Sequence, residues 1–114
     1  MYEDITVEAY KARFKDLNEN HLLLDVRTPE EFDEFRIPGA VNIPLDELMD
    51  RADEVQALAG ENPIVVVCKS GVRSIMGAQT LGAVGLADHV IYNLDTGTLG
   101  WARANLPLES SIES

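Results

Sequence analysis

The sequence predicts an α/β fold with a central, mainly parallel sheet of about five strands and helices on both of its faces. Short apolar runs alternate along the chain with segments of helical periodicity, as they do in parallel α/β sheets. The strongest run, residues 63–68 (PIVVVC), is rich in β-branched residues and unbroken, which is typical of a central strand buried on both faces. A chain of 114 residues buries roughly two-thirds of the surface that its unfolded form exposes, so one core is expected.

A helix and a buried strand are predicted at the start of the chain. Thr6 or Asp4 can cap a first helix, whose apolar positions recur at helical spacing. That apolar stripe consists of Val7, Tyr10, Phe14 and Leu17. Polar residues 18–20 indicate a turn, and residues 21–26 (HLLLDV) are nearly all apolar, which predicts a buried strand.

A second helix is predicted directly after that strand. Thr28 fits the N-cap, Pro29 fits the first helical position, and Glu31 completes a capping box. The acidic side chains within residues 30–34 are interpreted as a solvated helix start that the helix dipole favours, not as paired catalytic carboxylates. Residues 40–43 (AVNI) then predict a short strand.

The second half of the chain continues the alternation. Its predicted elements are a helix over 46–59 that Gly60 ends, the central strand, a helix over 74–84 that Gly85 ends, a strand over 89–92 and a helix over 96–105. Trp101, in the last helix, is interpreted as a core anchor. We expect residues 1–114 to form a single domain with a core over about 4–105 and an acidic tail over 106–114, the end of which frays.

Composition restricts the possible partners. Nine Lys and Arg residues against twenty Asp and Glu residues give a net charge of −11, which disfavours nucleic acids and anionic membranes. No signal-peptide pattern or membrane-spanning run is present. One cysteine cannot form an internal disulfide or a multi-cysteine zinc site, and a free thiol favours a reducing compartment. A cytoplasmic monomer is therefore expected.

The chemically distinctive segment follows the central strand. Cys68 ends that strand, and Lys69, Ser70, Gly71, Val72 and Arg73 lead into a helix. Ligands bind at the carboxyl ends of strands in open α/β sheets, and a glycine-containing turn before a helix directs backbone N–H groups at one point. These N–H groups, the helix dipole and two nearby cations all favour the thiolate, which is the nucleophilic form of cysteine. A buried structural cysteine is the alternative, but such a cysteine requires neither of the flanking cations.

At this loop the sequence resembles rhodanese-like sulfurtransferases, whose active-site loop has the pattern Cys-x-x-Gly-x-Arg-Ser, as residues 68–74 do. Residues 24–32 (LDVRTPEEF) and 37–44 (IPGAVNIP) resemble the family's upstream signature, and Asn93-Leu94 with Gly97 and Trp101 resembles its closing segment. The resemblance covers roughly residues 4 to 105. Phe35-Arg36 replaces the family's usual Gly-His, and Thr96-Gly97 replaces Gly-Gly.

The resemblance implies a rhodanese-like fold and a persulfide relay. Cys68 would take the outer sulfur of thiosulfate or of a persulfide donor and pass it to a thiophilic acceptor, namely cyanide in vitro and a thiol or a carrier protein in the cell. Loop residues 69–73 would bind the donor, with Lys69 and Arg73 orienting an anion. Neither a metal nor an organic cofactor is implied.

Two other functions remain open. A cysteine phosphatase places its arginine six positions after the cysteine, whereas Arg73 lies five positions after Cys68, which makes a smaller anion cradle. A non-catalytic binding or regulatory module is the second alternative, although such modules commonly lack the cysteine. The loop also resembles that of rhodanese domains joined to adenylating enzymes, which pass sulfur to a small carrier protein.

The remaining polar residues receive mainly structural interpretations. Asp25 and Arg27 end a strand beside the loop and are expected to shape it through hydrogen bonds. His21 and His89 open predicted strands, and neither is expected to be a metal ligand or a catalytic base. Arg36 is a candidate to line the mouth of the pocket.

Overall fold

A computed structural model describes residues 2–112 and shows an α/β fold, which confirms the predicted class. Residue 1 and residues 113–114, which belong to the expected domain and tail, lie outside the described part. The five strands are β1 (Tyr2–Ile5), β2 (Leu22–Asp25), β3 (Val41–Asn42), β4 (Ile64–Val67) and β5 (Ile91–Leu94). All pairs are parallel, in the order β1-β5-β4-β2-β3, so the strongest predicted strand is central.

Helices cover both faces of this sheet. They are α1 (Val7–Tyr10), α2 (Pro29–Glu34), α3 (Ala52–Ala59), α4 (Arg73–Leu81) and α5 (Gly97–Arg103). Helix α1 continues as a π-helical segment, Lys11–Asp16. The segment Gly82–Leu86 follows α4, but its helical path breaks at Val84 and at Gly85, where φ is +106°, so the helix ends at Gly85 as predicted. The predicted capping box of α2 is present, and Thr6 caps α1.

Two apolar clusters pack against the two faces. Alternate residues of β4 enter different clusters: Ile64 and Val66 join residues of α3 and α4, whereas Val65 and Val67 join residues of α1 and α5. Trp101 belongs to the second cluster and is buried, so the prediction of a core anchor is confirmed. Because both faces of β4 are covered, its end is a fixed platform for the segment that follows.

Several predicted boundaries are wrong. Strand β1 was not expected, because only Ile5 of its four residues is buried and an edge strand of this kind has no apolar alternation. Leu17 is 73% exposed and does not extend the stripe of α1. The helix predicted over 46–59 is divided into a 3₁₀ turn, Leu45–Glu47, and α3, which Gly60 ends as predicted.

The start of the expected tail is ordered by contacts with α2 and the segment after it. Glu109 forms an antiparallel bridge with Arg36, and Ser111 donates its backbone N–H to the Asp33 carbonyl over 2.9 Å. The expectation that the tail frays is therefore wrong for residues 109–111. Within residues 2–112, no helix is long and apolar enough to cross a membrane.

Candidate active site

Cys68 lies at the carboxyl end of the central strand, as predicted. It follows β4 directly, and residues 69–72 connect it to α4. Only 1% of its surface is exposed. The loop therefore surrounds the sulfur atom, and the chemistry of the sulfur depends on the groups that the loop points at it.

Hydrogen bonds from the loop lower the pKa of the Cys68 thiol. The Gly71 N–H donates to Cys68 Sγ over 3.1 Å. Burial, the largest single influence, raises the pKa, but hydrogen bonds from the Ser74 hydroxyl and from the N–H groups of Ser74, Gly71 and Ser70 together outweigh it, so the pKa lies below that of an ordinary cysteine. Donors aimed at a buried sulfur stabilise its negative charge, and the thiolate is the nucleophile.

Ser74 and Asn93 belong to the site although the sequence did not mark them as site residues. Both are buried, and the Ser74 hydroxyl donates to Asn93 Oδ1. The single hydroxyl hydrogen of Ser74 serves either Asn93 or the sulfur at a given moment. Asn93 also donates to the Gly71 carbonyl over 3.3 Å and to Asp4 Oδ1 over 3.0 Å, so it connects the loop to β1. The sequence signals for Asn93 were its place just after the strand predicted over 89–92 and its membership of the segment that resembles the family's closing motif.

Two glycines are required by the path of the loop. Gly71 has φ +95°, and a side chain there would collide with the Asp95 carbonyl. Gly97 has φ +63°, and a Cβ atom there would lie 2.6 Å from the carbonyl oxygens of Cys68 and Lys69. Because only glycine allows both the left-handed backbone and these close approaches, the loop can pack directly on the start of α5.

The start of α5 holds the loop carbonyls in place. Thr98 donates its N–H to the Cys68 carbonyl over 2.9 Å and its hydroxyl to the same oxygen over 3.1 Å. Leu99 donates its N–H to the Lys69 carbonyl over 3.0 Å. With its carbonyls bound on this side, the loop presents N–H groups to the sulfur on the other side.

Arg73 is held by an acidic residue of α2. Its two terminal nitrogens donate to the two carboxylate oxygens of Glu31 over 2.7 and 2.8 Å. The predicted pair of free cations beside the sulfur is thus reduced, because Glu31 neutralises Arg73. The capping-box contact predicted for Glu31 is present, with the Thr28 N–H donating to its carboxylate over 3.1 Å, but the interpretation of Glu31 as only a solvated helix-start residue is incomplete because it also binds Arg73.

The other predicted loop residues take different positions. Lys69 is exposed and lines a small cavity beside the loop. Ser70 is exposed and contributes its backbone N–H to the sulfur. Val72, whose side chain is 71% exposed, stands at the start of α4.

The cavity beside the loop has a volume of about 70 Å³ and is lined by Arg27, Glu31, Glu34, Phe35 and Lys69. Arg27 is almost fully buried and is paired with Asp25 through a 2.8 Å contact, and it also donates to the Phe35 carbonyl over 2.7 Å. These contacts are structural, as predicted for Asp25 and Arg27, but they bind the segment after α2, and Arg27 meets the loop as a wall of the cavity that Lys69 also lines.

Arg36 does not line this cavity. Its guanidinium stacks on the Phe32 ring, 4.7 Å from the centroid, and donates to the Ser111 hydroxyl over 2.8 Å. Of the two residues that replace the family's usual Gly-His, Phe35 therefore faces the cavity and Arg36 holds the tail.

Neither histidine lies among the residues that contact the sulfur. His21 Nε2 lies 2.8 Å from the Tyr10 hydroxyl, and His89 Nε2 lies 2.6 Å from the Gly60 carbonyl. Among the described residues there is no group of three or more His, Cys, Asp or Glu side chains that could hold a metal ion.

Comparison with known proteins places this geometry in a family. The model of the rhodanese-like domain matches residues 6–104 of the chain. YrkF of Bacillus subtilis (strain 168) is 37% identical over 98 residues, which are 86% of this chain and 50% of that protein. A protein named sulfurtransferase from Allochromatium vinosum is 32% identical over 108 residues, which are 95% of each chain.

A solved structure gives the same result for the fold. The crystal structure of a thiosulfate sulfurtransferase from Pseudomonas aeruginosa superposes with a TM-score of 0.82 at 30% sequence identity. The match covers 97% of this chain but only 21% of that one. The chain thus spans half of YrkF and about a fifth of the Pseudomonas protein, and nearly all of the Allochromatium protein.

Proposed function

The chain belongs to the rhodanese-like domain family, and we propose that it is a sulfurtransferase that carries a sulfane sulfur on Cys68. The observation that carries this proposal is the hydrogen bond of 3.1 Å from the Gly71 N–H to Cys68 Sγ, together with the lowered pKa of that thiol. A similar relative named sulfurtransferase and a similar structure named thiosulfate sulfurtransferase also support it.

The proposed reaction has two displacement steps. The Cys68 thiolate attacks the outer sulfur of a donor such as thiosulfate, the S–S bond of the donor breaks, and sulfite leaves with the bonding electron pair. The product is a Cys68 persulfide anion, and total charge is unchanged. A nucleophilic acceptor then attacks the terminal sulfur and releases the Cys68 thiolate. The acceptor is cyanide in vitro and a thiol or a carrier protein in the cell.

The loop N–H groups would stabilise both anionic forms of the enzyme. The N–H groups of Ser70, Gly71 and Ser74 act on the thiolate, and a persulfide extends the same charge outward by one atom. Preorganised donors of this kind stabilise a developing negative charge without reorganising. In this mechanism Lys69 binds the donor from the rim of the cavity, and the Ser70–Arg73 segment forms the cradle.

Intact mass spectrometry of the wild type and of Cys68→Ser tests the proposal. After incubation with thiosulfate or with glutathione persulfide, the wild type is expected to gain the mass of one sulfur atom, and cyanide should remove it with release of thiocyanate. Cys68→Ser should gain nothing. A wild type that gains no sulfur from either donor would favour a non-catalytic binding module, and hydrolysis of an aryl phosphate instead would favour a phosphatase.

A further inference from the structure

The charged groups around the cavity beside the Cys68 loop are close to balanced. Lys69 and Glu34 line the same cavity as Glu31 and Arg27. Each of the two arginines near the loop is paired with a carboxylate: Arg27 with Asp25, and Arg73 with Glu31. The formal charges of these groups therefore sum to about zero, on a molecule whose net charge is −11.

Within this balance, Glu31 neutralises the charge of Arg73 through a bidentate ion pair. The carboxylate accepts two hydrogen bonds from the Arg73 guanidinium, over 2.7 and 2.8 Å, and one of its oxygens also accepts the Thr28 N–H over 3.1 Å. The hydrogen bonds from Arg73 are the main reason that the pKa of Glu31 is lowered to about 2, so the carboxylate is charged at every physiological pH.

Arg73 would otherwise be the cation best placed to attract an anionic donor. It stands at the first position of α4, and its guanidinium senses the charges of Cys68 and of Asp25 in addition to that of Glu31. It also lines a second groove, together with Val26, Leu45 and the acidic Asp46. The carboxylate of Glu31 therefore cancels a positive charge that lies close to the sulfur.

We propose that Glu31 is a specificity-determining residue that makes the site select sulfur donors of low net negative charge over the thiosulfate dianion. This inference rests on the proposed function. A donor whose negative charge is small, or is balanced by an ammonium group, meets little repulsion at these balanced charges. A dianion is repelled by Glu31 and Glu34, and among the described cations of the cavity Lys69 is the one that no carboxylate neutralises.

Thiosulfate and two thiosulfonates, which differ in net charge but share the same transferable sulfur, allow the effect of donor charge on the rate to be measured. Thiosulfate is a dianion, methanethiosulfonate is a monoanion, and 2-aminoethanethiosulfonate is a zwitterion with no net charge. In each case the Cys68 thiolate attacks the outer sulfur, the S–S bond breaks, and sulfite or a sulfinate leaves with the electron pair. The persulfide formed is the same for all three, so its rate of formation can be compared directly by intact mass.

Glu31→Gln is the test variant, and Glu30→Gln is its control. Glutamine still fits the third position of a capping box and can accept from Arg73, so α2 should be retained. Glu30 is exposed on the same helix, and its substitution changes the net charge of the molecule by the same amount. Any difference between the two variants thus reports the local charge at the site.

Glu31→Gln is expected to raise the second-order rate of Cys68 persulfide formation about tenfold with thiosulfate and about threefold with methanethiosulfonate. The rate with the zwitterion should remain within the experimental error, and Glu30→Gln should resemble the wild type with all three donors. The logarithm of the gain should therefore rise in proportion to the negative charge of the donor.

Two results would overturn the inference while leaving the sulfurtransferase function intact. One is an equal effect of Glu31→Gln on all three donors, and the other is an equal gain with thiosulfate in Glu31→Gln and Glu30→Gln. Failure of the proposed function gives a different result, because the wild type would then form no persulfide with any donor. Circular dichroism and the melting temperature of Glu31→Gln confirm that the rates refer to folded protein.

Discussion

At the level of single residues, Cys68 combines burial with a lowered pKa. Removal from water opposes ionisation of a thiol, so a buried cysteine is ordinarily less acidic than a free one. Here the loop N–H groups and the Ser74 hydroxyl supply enough hydrogen bonds to reverse that effect. The acidity of this sulfur therefore depends mainly on the hydrogen-bond donors that surround it, and less on Lys69 and Arg73, the two cations that the sequence indicates.

Ser74→Ala is expected to raise the pKa of Cys68, because the thiolate loses one hydrogen-bond donor and such bonds to charged groups contribute about 1.5–3 kcal/mol. A raised pKa leaves less thiolate at a given pH. The pH dependence of Cys68 alkylation by iodoacetamide should consequently shift to higher pH, with its plateau rate unchanged.

Ser70→Ala is the control for this shift. Ser70 acts on the sulfur through its backbone N–H, which alanine retains, and its side chain is exposed. The alkylation profile of Ser70→Ala should match that of the wild type. A Ser74→Ala profile that also matches the wild type would show that the backbone N–H groups alone determine the acidity of the thiol.

Part of the site was predictable from single residues and part was not. Cys68 and its loop follow from a motif at the end of a strand, which is local in sequence. Glu31 was missed because its capping box with Thr28 already accounts for an acidic residue there, and Arg73 is 42 residues away. Asn93 and Ser74 were missed for a similar reason, since their contact joins residues 19 positions apart.

At the level of elements, the site depends on how closely α5 approaches the loop before α4. Gly71 and Gly97 allow the backbone of one segment to lie against the backbone of the other, and the N–H groups of Thr98 and Leu99 bind the carbonyls of Cys68 and Lys69. A side chain at either glycine would separate the two segments. The geometry of the loop is thus fixed by its contacts with α5 as well as by its own sequence.

Substitution of Gly71 by alanine tests this dependence, and the same substitution at Gly82 is its control. Gly71→Ala is expected to destabilise the fold by about 1–3 kcal/mol and to abolish rapid persulfide formation, because φ is +95° and the methyl group meets the Asp95 carbonyl. Gly82→Ala, in a helical conformation with no atom within 4 Å of the added Cβ, should stabilise it by about 0.5–1 kcal/mol.

Urea denaturation and the persulfide assay measure the two effects of these glycine substitutions. A Gly71→Ala variant with wild-type stability and wild-type rate would mean that the loop does not need the left-handed backbone at this position. Gly82→Ala controls for the general effect of alanine on the entropy of the unfolded chain, which stabilises the folded state when the native conformation suits it.

Sequence patterns predicted elements best where those elements are buried on both faces. Strands β2 and β4 consist entirely of buried residues, and all of these residues except Asp25 are apolar. Strand β1 escaped prediction because it is an edge strand with three residues that are not buried. The split between the 3₁₀ turn at Leu45–Glu47 and α3 likewise depends on tertiary packing, since the sequence over 46–59 is compatible with one continuous helix.

At the level of the whole molecule, the net charge of −11 affects every encounter with an anion. The field of the molecule repels thiosulfate during diffusion, independently of any contact that forms at the site. Added salt shortens the range of that repulsion, from about 10 Å at 0.1 M ionic strength to about 3 Å at 1 M. Added salt should therefore change the rate of persulfide formation more for donors of higher charge.

Raising KCl from low to high concentration is expected to accelerate persulfide formation from thiosulfate about two- to threefold, because screening weakens a like-charge repulsion. The rate with the zwitterionic 2-aminoethanethiosulfonate should stay constant. The measurement is the second-order rate constant for each donor at several ionic strengths. A rate with thiosulfate that falls as salt is added would show that the approach to Cys68 is attractive to anions.

The hydrogen bonds of Asn93 make the reactive sulfur depend on the two most distant parts of the chain. Asn93 in β5 binds both Asp4 in β1 and the Gly71 carbonyl, and Asp4 lies 89 positions before it. Asn93 is synthesised after the loop, so this contact cannot form until β5 has left the ribosome. A polypeptide still emerging from the ribosome would therefore carry a thiol of ordinary reactivity, and the reactive thiolate would form once β5 has paired with β1.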